Sequence, residues 1–194
     1  MHITMPLWEW RTFGTAFGGA EARVLEVARS GERVNERYIV RPSSDANVRI
    51  HEGLLDVKLC LRLDDHGLEQ WWPTVQGTFP LDATEVREVY RAWNRRAPAG
   101  LAPTYDEGAF RALCAHDPDV VTVEVAKTRH LTSFEDCQSE WAALSMNGTT
   151  TCTIAVLGET PQAVWSTIHT LGLDGRENVS YVKALKRMFA AEHV

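Results

Sequence analysis

In segment after segment of this chain, charged residues recur at every second position with aromatic or aliphatic residues between them. Leu7-Trp8-Glu9-Trp10-Arg11-Thr12-Phe13 sets Glu9 and Arg11 on one face and Trp8 and Trp10 on the other. A period of two is the signature of a β-strand. Further strands are expected at Arg37-Tyr38-Ile39-Val40, at 47–51, at 55–61, and at 68–72, where Pro73 closes the run. Later candidates are 120–131, 137–145 and 150–157, the last two joined at Asn147-Gly148, a strong hairpin dipeptide. Glu52-Gly53 and Asp65-His66-Gly67 supply tight turns between earlier strands.

Helical spacing appears between the strand groups. Short amphipathic helices are expected at 19–30 and 106–115, and a longer one follows Asp82 or Thr84 to about residue 97. In that longer helix Val86, Val89, Tyr90 and Trp93 share one side. Residues 97–105 read as a Pro/Gly-rich loop, Thr160-Pro161 opens a helix to Leu171, and the tail 178–192 ends in another. The expected class is α+β: an antiparallel barrel or strongly curved sheet with flanking helices, in a single domain over 1–194. A sandwich is the alternative.

Composition narrows the chemistry. With 20 Lys+Arg against 26 Asp+Glu, the net charge of −6 argues against a nucleic-acid surface, which needs clustered surface cations. No apolar run reaches the ~18–20 residues that span a bilayer. Residues 1–11 lack the order of a secretory signal, so a cytoplasmic location is expected. The four cysteines are scattered, which fits reduced thiols rather than a zinc ribbon or disulfide scaffold. The seven histidines form no H-x-x-x-H pair; His51 and His130, on strands, are the candidate general bases.

One strand face is loaded with charge: Glu9 and Arg11, Arg37, Arg49, Asp56 and Lys58, Glu69, Lys127 and Arg129, Asp136 and Glu140. Solvent faces of a sandwich would look like this. So would the interior of a barrel whose aromatic faces are covered outside by helices. On the 120–131 strand, Val121, Val123 and Val125 share a parity with Lys127 and Arg129, while Glu124 lies on the other and is expected to point outward. An interior holding both signs would bind a polyanion through Arg and Lys and a divalent cation through carboxylates.

These residues carry a resemblance. The run Asn47-Val48-Arg49-Ile50-His51-Glu52-Gly53-Leu54-Leu55-Asp56-Val57-Lys58, followed by Gly67-Leu68-Glu69-Gln70-Trp71, resembles the central hairpins of the CYTH superfamily, the triphosphate tunnel metalloenzymes. Val125-Ala126-Lys127-Thr128-Arg129 is similar to that family's later K-x-R strand, and Cys137-Gln138-Ser139-Glu140 to the acidic strand after it. Asn178-Val179-Ser180-Tyr181 is similar to the segment before its terminal helix.

The resemblance implies an eight-stranded antiparallel tunnel with Mg²⁺ or Mn²⁺ as cofactor and an anionic small molecule as substrate. It implies phosphate binding by Arg11, Arg49, Lys58, Lys127 and Arg129, metal binding by Glu9, Glu69 and Glu140, and catalytic roles for Glu9, Lys58 and Glu69. Two positions depart from the family pattern. Leu7 stands where the first acid of the N-terminal E-x-E-x-K signature belongs, and Leu157 where a metal-binding glutamate is expected. Two functions therefore stay open: a metal-dependent phosphohydrolase of a triphosphate or polyphosphate compound, and a tunnel protein with a degraded metal site that binds a phosphorylated or other anionic small molecule without hydrolysis or has been recruited to a different reaction.

Overall fold

The computed structural model describes residues 5–28, 30–134 and 136–192. The first four residues of the amino-terminal stretch, and Arg29 of the expected first helix, lie outside the described residues. The elements are β1 (Leu7–Gly14), α1 (Gly19–Val27), β2 (Glu32–Val40), β3 (Asn47–His51), β4 (Leu54–Leu63), β5 (Glu69–Thr78), β6 (Leu81–Asp82) and α2 (Ala83–Ala92). They continue with β7 (Thr104–Tyr105), α3 (Glu107–Ala115), β8 (Val121–Phe134), β9 (Cys137–Met146), β10 (Thr149–Gly158), α4 (Pro161–Leu171) and α5 (Tyr181–Glu192). Eight strands form a closed antiparallel barrel in the order β1-β10-β9-β8-β2-β3-β4-β5, and β6 pairs with β7 in a separate two-stranded sheet. The α+β barrel is thus observed, and the sandwich is not.

The chain forms two compact units. One comprises the described residues of Met1–Val34, Cys60–Trp72 and Val125–Ser180. In it, Trp8 and Trp10 of β1 and Ile154 and Val156 of β10 pack with Ala20 and Val24 of α1 and with Val164, Ile168 and Leu171 of α4. The second comprises the described residues of Asn35–Leu59, Pro73–Glu124 and Tyr181–Val194. There Ile39, Val48, Ile50, Leu55 and Val57 pack with Val86, Val89, Tyr90 and Trp93 of the α2 region and Phe110 and Cys114 of α3. In each unit one strand face is covered by helices, each buried large aliphatic side chain contributing about 1.5–3 kcal/mol. The charged face is the other one.

Local chemistry explains the boundaries. Asp82 caps α2 with a full capping box: its side chain accepts from the Thr84 and Glu85 backbone while Glu85 reaches back. The helix ends at Ala92, short of residue 97, because Asn94 takes a left-handed φ of 55°. Thr160 caps α4 ahead of Pro161. Asn147-Gly148, at φ 46° and 87°, makes the β9–β10 hairpin turn.

Three expectations are corrected. Pro73 does not end a strand, since β5 runs from Glu69 to Thr78 through it; proline suits extended backbone and forfeits only one donor. Residues 104–105, read as loop, pair with Leu81–Asp82. Arg37 leaves the charged face: Arg37 lies opposite Ile50 and shares the helix-covered side with Ile39, where it bonds Glu107 and Glu124.

Candidate functional site

In the first unit the strand registers define one continuous face. Glu9 lies across from Glu69 on β5 and from Leu157 on β10, and Arg11 lies across from Ala155. Ala155 in turn faces Glu140 of β9, while Ala142 and Leu144 face Arg129 and Lys127 of β8. Cross-strand partners share a face, so Glu69, Glu9, Arg11, Leu157, Ala155, Glu140, Lys127 and Arg129 point to one side. His130, expected as a candidate base, points to the opposite side against Trp141, with ring centroids 5.5 Å apart.

Arg11 organises this face. Its Nε donates to Glu9 Oε1 at 3.0 Å and its Nη1 to Glu140 Oε1 at 3.1 Å. The second bond crosses β10, where Ala155, between the two, carries only a methyl group. The Arg11 backbone is clamped as well, donating to Asn178 Oδ1 at 2.8 Å and accepting from the Val179 N–H at 2.6 Å. Asn178 also donates to the Gly67 carbonyl, fixing the β4–β5 turn. Trp71 Nε1 donates to Glu69 Oε2 at 3.2 Å, and Glu69 is 3% exposed. Lys127 is buried, whereas Arg129 pairs with Glu32 at 2.8 Å in a half-exposed position.

The second unit carries its own cluster. Tyr38 faces Arg49 and Glu36 faces His51, while Arg49 faces Asp56 and Asn47 faces Lys58. Arg49 donates to Glu36 Oε1 at 3.0 Å and to Asp56 Oδ2 at 2.8 Å; Lys58 Nζ stands 3.8 Å from the same Asp56 oxygen. The Tyr38 hydroxyl donates to Glu36 Oε2 at 3.0 Å, and its ring stacks on Tyr181 of α5. Burial works against the Arg49 charge, but Tyr38, Glu36 and Asp56 outweigh it and its pKa is raised. The pKa of His51 is lowered, by burial first and by Arg49 next, against the pull of Glu36, Asp56 and Glu52.

This second face opens into a cleft of about 400 Å³ lined by Arg49, His51, Asp56, Lys58, Gln76 and Gly77. Asp56 Oδ1 and Asn47 Oδ1 are buried without a hydrogen-bond partner among the described residues. A buried acceptor left unpaired costs about 1–3 kcal/mol.

Glu36 was missed in the sequence because the strand was started at Arg37; its alternation with Tyr38 was the available signal. Asn178 was noted only as part of a closing segment. Glu124 is exposed and bonds Arg37, and Asp136 sits in an exposed turn.

The carboxylates do not present a divalent-metal site as arranged. Glu9 and Glu140 both hold Arg11, Glu69 holds Trp71, and Leu157 faces Glu9 where a further acid would stand. Among the described residues no group of three or more His, Cys, Asp or Glu side chains is placed to hold a metal ion. Nor is any helix among them long and apolar enough to cross a membrane.

Comparison with solved structures fixes the architecture. HpAC1 of Hippeastrum, for which a dominant triphosphatase activity is described, superposes with a TM-score of 0.50 at 10% identity, covering 95% of this chain and 96% of its own. The two proteins share their fold. Two Pyrococcus horikoshii proteins are also similar: PH1819, with a TM-score of 0.46 at 14% identity over 93% of this chain and 99% of its own, and PH1012, with 0.47 at 15% over 90% and 97%. No family model and no curated protein matches the sequence. On this fold the charged strand faces of both units are the sides not covered by the packed helices.

Proposed function

We propose that this protein binds a triphosphate-type anionic small molecule through basic side chains of the barrel strands, without dependence on a divalent cation. The observation that carries this reading is the cleft at Arg49 and Lys58. Both cations reach a cavity large enough for phosphate groups, and among the described residues the ion pair of Lys58 with Asp56 is a long one. Charge-assisted bonds from such donors to phosphate oxygens are short and strong. The triphosphatase activity described for HpAC1 agrees with a phosphate-bearing ligand. A cytoplasmic location, where phosphorylated metabolites are found, belongs to the same reading.

Metal-dependent hydrolysis of that ligand is the second reading. One observation favours it: Glu9, Glu69 and Glu140 project from one face of three strands, with Glu9 directly across from Glu69. In that reading Arg11, Lys127 and Arg129 would neutralise phosphates and the acids would hold Mg²⁺ or Mn²⁺.

Calorimetric titration with inorganic tripolyphosphate, in EDTA and in Mg²⁺, tests the proposal. Equal affinity in both buffers, lost in Lys58→Ala, is expected. Binding that requires Mg²⁺, together with phosphate release, would replace it with hydrolysis. No binding in either buffer would reject both.

A further inference from the structure

Where α2 and α3 end, the second unit carries cations that the cleft at Arg49 and Lys58 does not use. They surround a separate cavity of about 280 Å³, near the lower end of small-molecule sites at about 300–1,000 Å³. Arg95, Arg96, His116 and Asp117 give the cavity its charge, and Tyr90, Leu113, Pro98 and Pro118 give it apolar walls. Backbone bonds fix the frame. Beyond α2, the Asn94 N–H donates to the Arg91 carbonyl and the Arg95 N–H to the Tyr90 carbonyl, both at 2.8 Å, with Asn94 left-handed at φ 55°. This paired closure is a Schellman motif, and it brings the Arg95 backbone back to Tyr90. Beyond α3, the Asp117 N–H donates to the Cys114 carbonyl and the Val120 N–H to the Asp117 carbonyl, closing a turn through Pro118. The Tyr90 hydroxyl donates to the Leu113 carbonyl at 3.4 Å and joins the two helix ends.

The acid among these linings is already engaged. Asp117 accepts from Arg41 Nε at 3.3 Å and from the Asp119 N–H at 3.1 Å, and Arg41 also holds Asp119. The Asp119 N–H first, then Arg41 and Arg95, lower the pKa of Asp117 against the effect of burial. Three arginines thus meet two aspartates, which leaves a net positive charge before His116 is counted. Among the described residues, neither the Arg95 nor the Arg96 guanidinium has a hydrogen-bond or ion-pair partner. Cations near helix C-termini also offset the helix dipole, but α2 already has Arg91 in its last turn.

We infer that this cavity is a second ligand site, for an organic phosphate monoester whose ester group is apolar. Guanidinium forks match phosphate oxygens in geometry and charge, and the proline, leucine and tyrosine walls cover the ester group. The site draws on no residue of the Arg49–Lys58 cleft, so it stands or falls apart from tripolyphosphate binding there.

Nuclear magnetic resonance titration of the isotope-labelled full chain with phenyl phosphate tests the inference, with inorganic phosphate and benzoate in parallel. The amide resonances of Arg95, Arg96 and His116 are expected to move saturably, and phenyl phosphate to bind more tightly than either of the other two. The double variant Arg95→Gln/Arg96→Gln should bind it roughly tenfold more weakly or worse, as for a lost hydrogen bond to a charged group. Arg96→Glu, a single change at an exposed position, should weaken it in the same direction. Resonances of these three residues that stay still, or shifts confined to His51 and Lys58, would overturn the inference. Inorganic phosphate binding as tightly as phenyl phosphate would overturn the apolar ester, and benzoate binding more tightly would overturn the phosphate. An unchanged affinity in both variants would leave the cations to the helix ends and overturn the site.

Discussion

The two charged faces use the same vocabulary to opposite ends. In the first unit Arg11 lies between Glu9 and Glu140, its side chain 8% exposed and its backbone held by Asn178 and Val179. In the second, Arg49 lies between Glu36 and Asp56, but Lys58 beside it is a third exposed and both line an open cleft. The first arrangement is closed on itself and serves stability. The second keeps cationic capacity facing a cavity, where the proposed reading puts anion binding. An arginine between two acids is therefore a poor indicator of function by itself; what decides is whether a further cation and a cavity stand next to it.

The largest expected effect comes from opening the closed face. Arg11→Gln leaves two carboxylates without their guanidinium, and breaking a buried pair in this way costs about 3–5 kcal/mol. Urea denaturation with an unchanged slope and a lower midpoint would show it. A loss below about 1 kcal/mol, the size of an exposed pair, would mean that solvent already compensates these carboxylates and would erase the contrast between the faces.

Lys58→Ala tests the open face and should reverse the pattern. Its contact with Asp56 is 3.8 Å long and partly exposed, so stability should change by no more than about 1 kcal/mol. Tripolyphosphate binding should weaken by about 1.5–3 kcal/mol, the loss of a hydrogen bond to a charged group, or roughly tenfold to a hundredfold in Kd. Equal losses in stability and binding would make Lys58 a structural residue.

How far the sequence revealed these faces follows from the range of the interactions. Alternation is local, so Trp8 and Trp10 could be separated from Glu9 and Arg11, and Lys127 from Glu124, without any three-dimensional information. It failed at Glu36 because β2 begins at Glu32, five residues ahead of the expected Arg37, and at Arg37 because a charge can share the helix-covered side when acids such as Glu107 meet it there. The Arg11–Glu140 bond spans 129 positions and depends on a small residue in the strand between them. Nothing local marks Ala155 for that role. The pairing of Leu7 with Trp71 that joins β1 to β5 is likewise a matter of register, which periodicity leaves undetermined. Leu7 and Leu157 stood out only against a family pattern; the structure gives Leu157 a place directly beside Glu9.

A smaller effect is expected from pH at the open face. His51 has a pKa held below its ordinary value, chiefly by burial and by Arg49. As pH falls below about 6.5 the unfolded chain takes up its proton first. Stability is therefore complete above that pH and declines as pH drops toward the lower folded pKa. His51→Gln should flatten this part of the stability-versus-pH curve without changing stability at pH 8. An unchanged slope in the variant would place the acid sensitivity elsewhere.

The smallest effect is expected at Arg129, whose side chain shares the face of Lys127 yet bonds Glu32 with both partners partly exposed, 29% and 54%. An exposed pair of this kind is worth about 0–1 kcal/mol and is screened by salt. Arg129→Ala should lower the denaturation midpoint slightly at low ionic strength and hardly at all at high ionic strength. Its effect on tripolyphosphate affinity should be smaller than that of Lys58→Ala, because Glu32 already satisfies the guanidinium that a phosphate would have to recruit. Glu32→Gln sharpens the test by releasing Arg129 while keeping its charge. Tighter tripolyphosphate binding in Glu32→Gln, reversed in the double variant, would bring Arg129 into the binding machinery. Affinities that do not move in any of the three proteins would confine it to the surface and leave anion binding to the cleft at Arg49 and Lys58.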